Sequence, residues 1–294
     1  MRILLLLTFI GMTALMAQDP PTAYQLYNSQ GKPVKYRKLL REVSGADVLL
    51  FGELHNNPIA HWLQLELLHD LHEQQGSDLV IGAEMFETHQ QAALDSLMAG
   101  SWDEKTFESE TEMWSNYATD YRPVVRFALA NQLPLVATNA SRKYARQVSR
   151  EGPASLDSLP AEEKALLAPL PYPIDYELPS YARMREMLGG HGGGMNPDYF
   201  IAAQAIKDAT MAHFILENWQ EGQLFYHLNG SYHSDDKEGI AWYLQEYRPG
   251  TSVANLTVVE QEEVDELEEE YQGKADFIIV VPSRMTKTYL TGFE

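Results

Sequence analysis

The sequence predicts an α/β fold: a largely parallel central sheet flanked by helices, with a smaller helical and loop subdomain inserted in it. Two observations predict this. Short apolar runs at 47–51, 78–84, 133–139 and 223–230 alternate with segments of helical periodicity, the pattern of strands joined by crossover helices. The stretch 152–196 breaks that rhythm with "LAPLPYPIDYELP" and then "GGHGGGMN", which reads as an inserted cap with a loop. The chain has 294 residues, 45% of them hydrophobic, enough for a substantial core.

The first seventeen residues carry an early Arg2, an apolar run from Ile3 to Leu15, and the small Ala17. This is the pattern of a cleaved secretory signal peptide, too short for the ~20 apolar residues of a span. The expected protein is exported to the periplasm, cell envelope or medium, with no integral membrane segment after signal removal. Residues 18–45 read as a lead-in with a hairpin around "NSQGKP", and 46–294 as the α/β domain.

Within that domain "DVLLF" is the first apolar strand. A helix follows it, with Asn57 placed to cap and Pro58 suited to the first turn. "DLVIGAE" is a strand, and "THQQAALDSLMAG" a helix ending at Gly100. Residues 101–132 read as helical and, like 152–196, as part of a cap or insertion. "LPLVATN" is a strand and "SRKYARQVSREG" its helix, and 197–222 form a long helix. "QLFYHLNG" is a strand, "DDKEGIAWYLQEY" a helix, and "SVANLTVVE" and "DFIIVV" the last strands. The acidic "EEVDELEEE" between those two reads as a solvated face.

The formal net charge is -20, which disfavours nucleic acid and anionic lipid as partners. There is no cysteine, so the protein is not a lipoprotein, and metal or iron chemistry falls to His, Tyr, Asp, Glu or Met. In open α/β sheets ligands bind beyond the carboxyl ends of the strands. Here those ends carry Glu53 and His55; Glu84; Thr138 and Asn139, with Arg142 a turn on; and Ser231, Tyr232 and His233. His61 lies in the first turns of the helix after Asn57. In the long helix, Gln204, Asp208, Met211 and Ile215 share one face, with the amino-terminal half expected to meet the site. Helix capping would account for Glu53 alone, not for the set.

The blocks "LLFGELHNNPIAHWLQ", "GAEMFETHQQAALD", "YRPVVRFALANQLPLVATNASR", "AAQAIKDATMAHFI" and "HLNGSYHSDDKEGI" occur in this order. Together they resemble the ChaN family of haem-binding, iron-regulated proteins, within the Tiki/erythromycin-esterase-like superfamily. The likeness runs from about residue 44 to 250. It implies haem binding and a role in iron acquisition at the cell envelope, with a homodimer as one way of enclosing the ligand. Carried onto this chain, it marks Glu53, His55, His61, Glu84, Gln204, Asp208, Met211, Ala212, Gly230 and His233. The family often has two adjacent histidines where this chain has Ala60-His61.

Haem needs an axial donor, apolar walls and cations for its propionates. The resemblance thus implies His55, His61, Glu84, Gln204, Asp208 and His233 as cofactor-binding residues, and Arg142 is the expected cation beside them. Tyr176 in the proline-rich segment and His191 in the glycine loop are further donors. An alternative reading places a divalent metal ion on Glu53, His55, Glu84 and His233, making the chain a metal-dependent esterase or peptidase that uses the same four residues in catalysis.

Overall fold

The computed structural model describes residues 21–189 and 196–290. The expected signal peptide over 1–17 and His191 lie outside the described residues. In chain order the elements are β1 (Gln25–Asn28), α1 (Tyr36–Val43), β2 (Val48–Glu53), α2 (Pro58–Gln75), β3 (Leu79–Glu87) and α3 (Gln91–Met98). There follow α4 (Glu104–Glu110), α5 (Arg122–Asn131), β4 (Leu135–Asn139), α6 (Arg142–Glu151), α7 (Ala161–Lys164), α8 (Pro179–Gly189) and α9 (Pro197–Asn218). The chain ends with β5 (Leu224–Gly230), α10 (Ile240–Tyr247), β6 (Val253–Gln261) and β7 (Phe277–Pro282).

The seven strands lie in the order β1-β7-β6-β2-β5-β3-β4. Every pairing is parallel except β1 against β7. The expected hairpin is real: Gly31 takes a left-handed φ of 72°, and Tyr27 pairs with Pro33 across the turn.

Period-two alternation sorts the strand side chains onto two faces. Leu49, Phe51, Ile81, Tyr226 and Leu228 pack with α1, α2, α3 and α5. Val48, Leu50, Val80, Val136 and Phe225 pack with α6, α9 and α10. With both faces covered, the central strands have no exposed edge of the pattern and read as continuous apolar runs. Each fully buried Leu or Phe stabilises the fold by about 1.5–3 kcal/mol. The two stretches read as cap or insertion join these faces. Phe107, Tyr117 and Tyr121 belong to the first, and Leu156, Tyr172, Tyr181 and Met184 to the second.

Local signals set the helix ends. Asn57 Oδ1 accepts from the backbone N–H groups of Ile59 and Ala60, each at 3.1 Å, with Pro58 at the first position. Gly100 closes the third helical segment at φ 70°. α9 stops at Asn218, short of the expected 222, because Trp219 turns extended, its indole N–H donates to the Gln223 carbonyl at 2.7 Å, and Gly222 takes φ 93°.

The arrangement places the site. β5, late in sequence, lies between β2 and β3, so the crossover connections part around it and leave a crevice beyond the strand ends. Glu53 and Gly230, the last residues of β2 and β5, are register partners. Next to them the β3 ladder to β4 is irregular between Ala83 and Glu87, where Glu84 sits. An irregularity of this kind at a sheet rim re-aims a side chain.

Candidate functional site

A cleft of about 550 Å3 opens at the carboxyl ends of the strands. Glu53, His55, Glu84, Arg142, Gln204 and His233, all expected there from the sequence, line it. So do Leu54, Trp114, Asn139, Met184, Met187, Phe200, Lys207 and Tyr232. A smaller hollow of about 340 Å3 adjoins it and shares Met184, Met187 and Tyr232. Another hollow, about 420 Å3, lies at the amino ends of the parallel strands near Ala46, Val253 and Phe277 and shows no such convergence.

On one wall, Glu53 is buried to 1% exposure and its carboxylate is saturated. The Tyr121 hydroxyl donates to Oε1 at 2.6 Å, and the Gln64 amide donates to Oε2 at 2.5 Å. His55 Nδ1 meets Oε1 at 2.8 Å. Among the described residues, that bond leaves His55 Nε2 as the uncommitted ring nitrogen. The His55 ring also meets the Trp114 ring edge-on, centroids 4.9 Å apart. Burial opposes the charged imidazolium, but the hydrogen bond His55 donates to Glu53 and the charges of Glu84 and Glu53 outweigh it and hold His55 above its ordinary 6.5.

His61 stands behind this wall rather than on the cleft. Its Nε2 meets the His55 carbonyl at 3.0 Å and Asp120 at 3.4 Å; its Nδ1 meets Gln64 Oε1 at 3.1 Å. The Gln64 amide is oriented by its donation to Glu53, so both ring nitrogens of His61 face acceptors. Asn116 completes the cage by donating to the His55 carbonyl and to Asp120. His61 therefore braces Glu53 and His55 and does not reach a ligand in the cleft.

On the other wall, His233 lies between two buried carboxylates. Its Nε2 is 3.2 Å from Glu84 Oε1 and its Nδ1 2.5 Å from Asp208 Oδ1. Burial would lower its pKa, yet the two carboxylates raise it to about 9. Glu84, although burial pushes it up, is held well below its ordinary 4.5 by His233 and His55. Asp208 is raised above 3.8 by burial, with His233 and Tyr181 pulling the other way. Asp208 accepts from the Tyr181 hydroxyl at 3.0 Å and does not line the cleft. Gln204 Nε2 touches His233 Nδ1 at 2.9 Å.

On the α9 stripe Gln204 reaches the cleft and Met211 and Ile215 are fully buried, as expected, but Asp208, expected among the ligand-binding residues, lies beneath the cleft because His233 and Tyr181 hold its carboxylate there. Phe200 and Lys207, four residues before and three after Gln204, belong to that same cleft-facing side and were readable from the spacing. Trp114 and Tyr121 were not. They come from the aromatic run before α5, and nothing local marks which of its rings turns inward. Arg142 stands over the Trp114 ring, 5.4 Å from its centroid. Tyr176 packs against the apolar face around α9 and is not among the cleft residues. Its place in the proline-rich segment put it near the site in sequence only.

Among the described residues no group of three or more His, Asp or Glu side chains is arranged to hold a metal ion. The divalent-ion reading of Glu53, His55, Glu84 and His233 is thus not supported. The reason is visible in the bonding. Both Glu53 oxygens and both His233 nitrogens already serve neighbours on separate walls.

The fold and this cleft define an open α/β ligand-binding protein with an apolar, cation-edged site at the strand ends. A model of the family described as "Haem-binding uptake, Tiki superfamily, ChaN" matches residues 39–244, well over half of the chain. The chain belongs to that family. Among curated proteins none matches it in sequence. Of solved structures, "Cofacial heme binding to ChaN of Campylobacter jejuni" is similar at TM-score 0.67 and 16% identity, covering 88% of this chain and 96% of that one. An erythromycin esterase mutant in its open conformation is similar at TM-score 0.47 and 11% identity, over 89% of this chain and 83% of that one. No described helix is long and apolar enough to cross a membrane.

Proposed function

We propose that this protein binds haem as cargo in the strand-end cleft and serves haem and iron uptake as an exported protein. The observation that carries the reading is the composition of the cleft wall. Leu54, Trp114, Met184 and Phe200 offer an apolar surface for a flat macrocycle, and Arg142 and Lys207 offer cations for its carboxylates. His55 and Tyr232 bring the donors suited to ferric iron, while the His233 nitrogens are committed to Glu84 and Asp208. The net charge of -20 makes these local cations matter, since the chain as a whole repels a dianion. Export is supported by the signal-peptide pattern of residues 1–17.

Titration of the purified protein with haemin tests the binding. A saturable Soret shift is expected. His55→Ala and Tyr232→Phe then identify the donor, since loss of the axial ligand changes the spectrum and loss of a neighbour changes only affinity. No saturable shift would end the reading. Fractionation of cells expressing the full chain, followed by detection of the protein in the envelope or medium, tests export; retention in the cytoplasm would refute it.

A further inference from the structure

We propose that Gly230 is a specificity-determining position of the cleft: its missing side chain is the space in which the His55 imidazole lies. The inference rests on the haem reading for its consequence and on geometry for its substance. Gly230 has φ -60° and ψ 142°, a conformation open to any residue. Backbone freedom therefore does not explain a glycine here.

Space does. A Cβ on Gly230 would stand 2.8 Å from both Cε1 and Nε2 of His55, and 3.5 Å from Glu84 Oε2. Real Cβ contacts are not that short, so one side must yield. The strand cannot yield easily. The Gly230 N–H donates to Glu84 Oε2 at 2.7 Å, its carbonyl accepts from Asn229 Nδ2 at 2.9 Å, and it pairs with Glu53 across the sheet. His55 is the movable partner, a single side chain held, among the described residues, by one bond to Glu53 and one ring contact to Trp114.

Other glycines that a Cβ would crowd do different work. Gly82 makes room for the Phe225 ring inside the sheet, and Gly239 has a φ of 54° against the His233 carbonyl. Gly230 alone among the described glycines would press first on the side chain of a histidine of the cleft. The bare Cα lets the imidazole lie back against the end of β5, bonded to Glu53, and keeps the cleft wide enough for a broad flat ligand. A side chain at this position would drive the imidazole into the cleft and off its carboxylate.

A double-mutant cycle tests this, using haemin and the full purified protein. Gly230→Ala should weaken haemin binding about tenfold or more. It should also remove the downfield NMR signal of the His55 Nδ1–H bonded to Glu53. In a His55→Ala background the same change should alter affinity less than about twofold, because the clash is gone. Equal losses in both backgrounds, or an unaltered wild-type background, would overturn the proposal. If Gly230→Ala does not fold, recovery of folding in the double variant upholds the clash, and failure of both variants overturns it. If the wild type binds no haemin, the haem reading fails separately. The NMR signal then decides: its persistence in Gly230→Ala refutes the role of Gly230.

Discussion

The two walls of the cleft are built from the same side chains, histidine and carboxylate, yet they differ in what is left over. On the β5 wall, His233 is enclosed: each nitrogen meets a buried carboxylate, and Glu84 also anchors the Gly230 N–H. On the β2 wall, Glu53 is enclosed by Tyr121, Gln64 and His55, while His55 itself, among the described residues, keeps one nitrogen uncommitted and a third of its side chain exposed. The closed cluster fastens two strand ends and a helix together. The open one presents a group. Histidine at a strand end is thus not a functional role by itself; the number of unsatisfied nitrogens decides.

The largest expected effect is on the closed wall. Glu84→Ala strips His233 of a counter-charge and Gly230 of its acceptor. Breaking a buried pair in this way costs about 3–5 kcal/mol, read by urea unfolding. On the open wall, His55→Ala should cost under about 1 kcal/mol, as expected of a partly exposed side chain. It should nonetheless weaken haemin binding about tenfold or more. If the two substitutions destabilise equally, the contrast between the walls is void.

A pH effect comes next. The folded His233 titrates near 9, above its ordinary 6.5. Its contribution to stability is therefore fully present below about 6.5 and lost as pH rises through about 9. Glu84, depressed from 4.5, contributes above that value and loses its share as pH falls through its lower folded value. Thermal melts should accordingly peak on the acid side of neutrality and decline toward pH 9–10, with the alkaline decline reduced in Glu84→Gln. A flat profile from pH 6 to 10 would contradict the charged state of His233. The smallest expected effect is that of Arg142→Ala and Lys207→Ala. Each should weaken haemin binding a few-fold, less so at high salt, since exposed charges are screened. Equal weakening at all salt concentrations would point to lost packing on Trp114 instead.

Much of this was legible in the sequence. Apolar runs of five to nine residues, the Asn57-Pro58 start of α2 and the turn glycines are local signals, because burial and dihedral preference act over a few residues. They located the central strands and, with them, the rim to which Glu53, His55, Glu84, Arg142, Gln204 and His233 all come. The collinear blocks led to the family that residues 39–244 match.

What only the tertiary structure decided is which partner each polar group meets. His61 turned away from the cleft because Gln64, one turn on, and Asp120, far along the chain, claimed its nitrogens. Tyr176 was drawn into an apolar face, and Trp114 was brought to the rim from a stretch with no pattern of its own. Such pairings join residues distant in sequence, and a hydrogen bond is directional over about 3 Å. Periodicity says which face a residue occupies; it carries no information about the atom across from it.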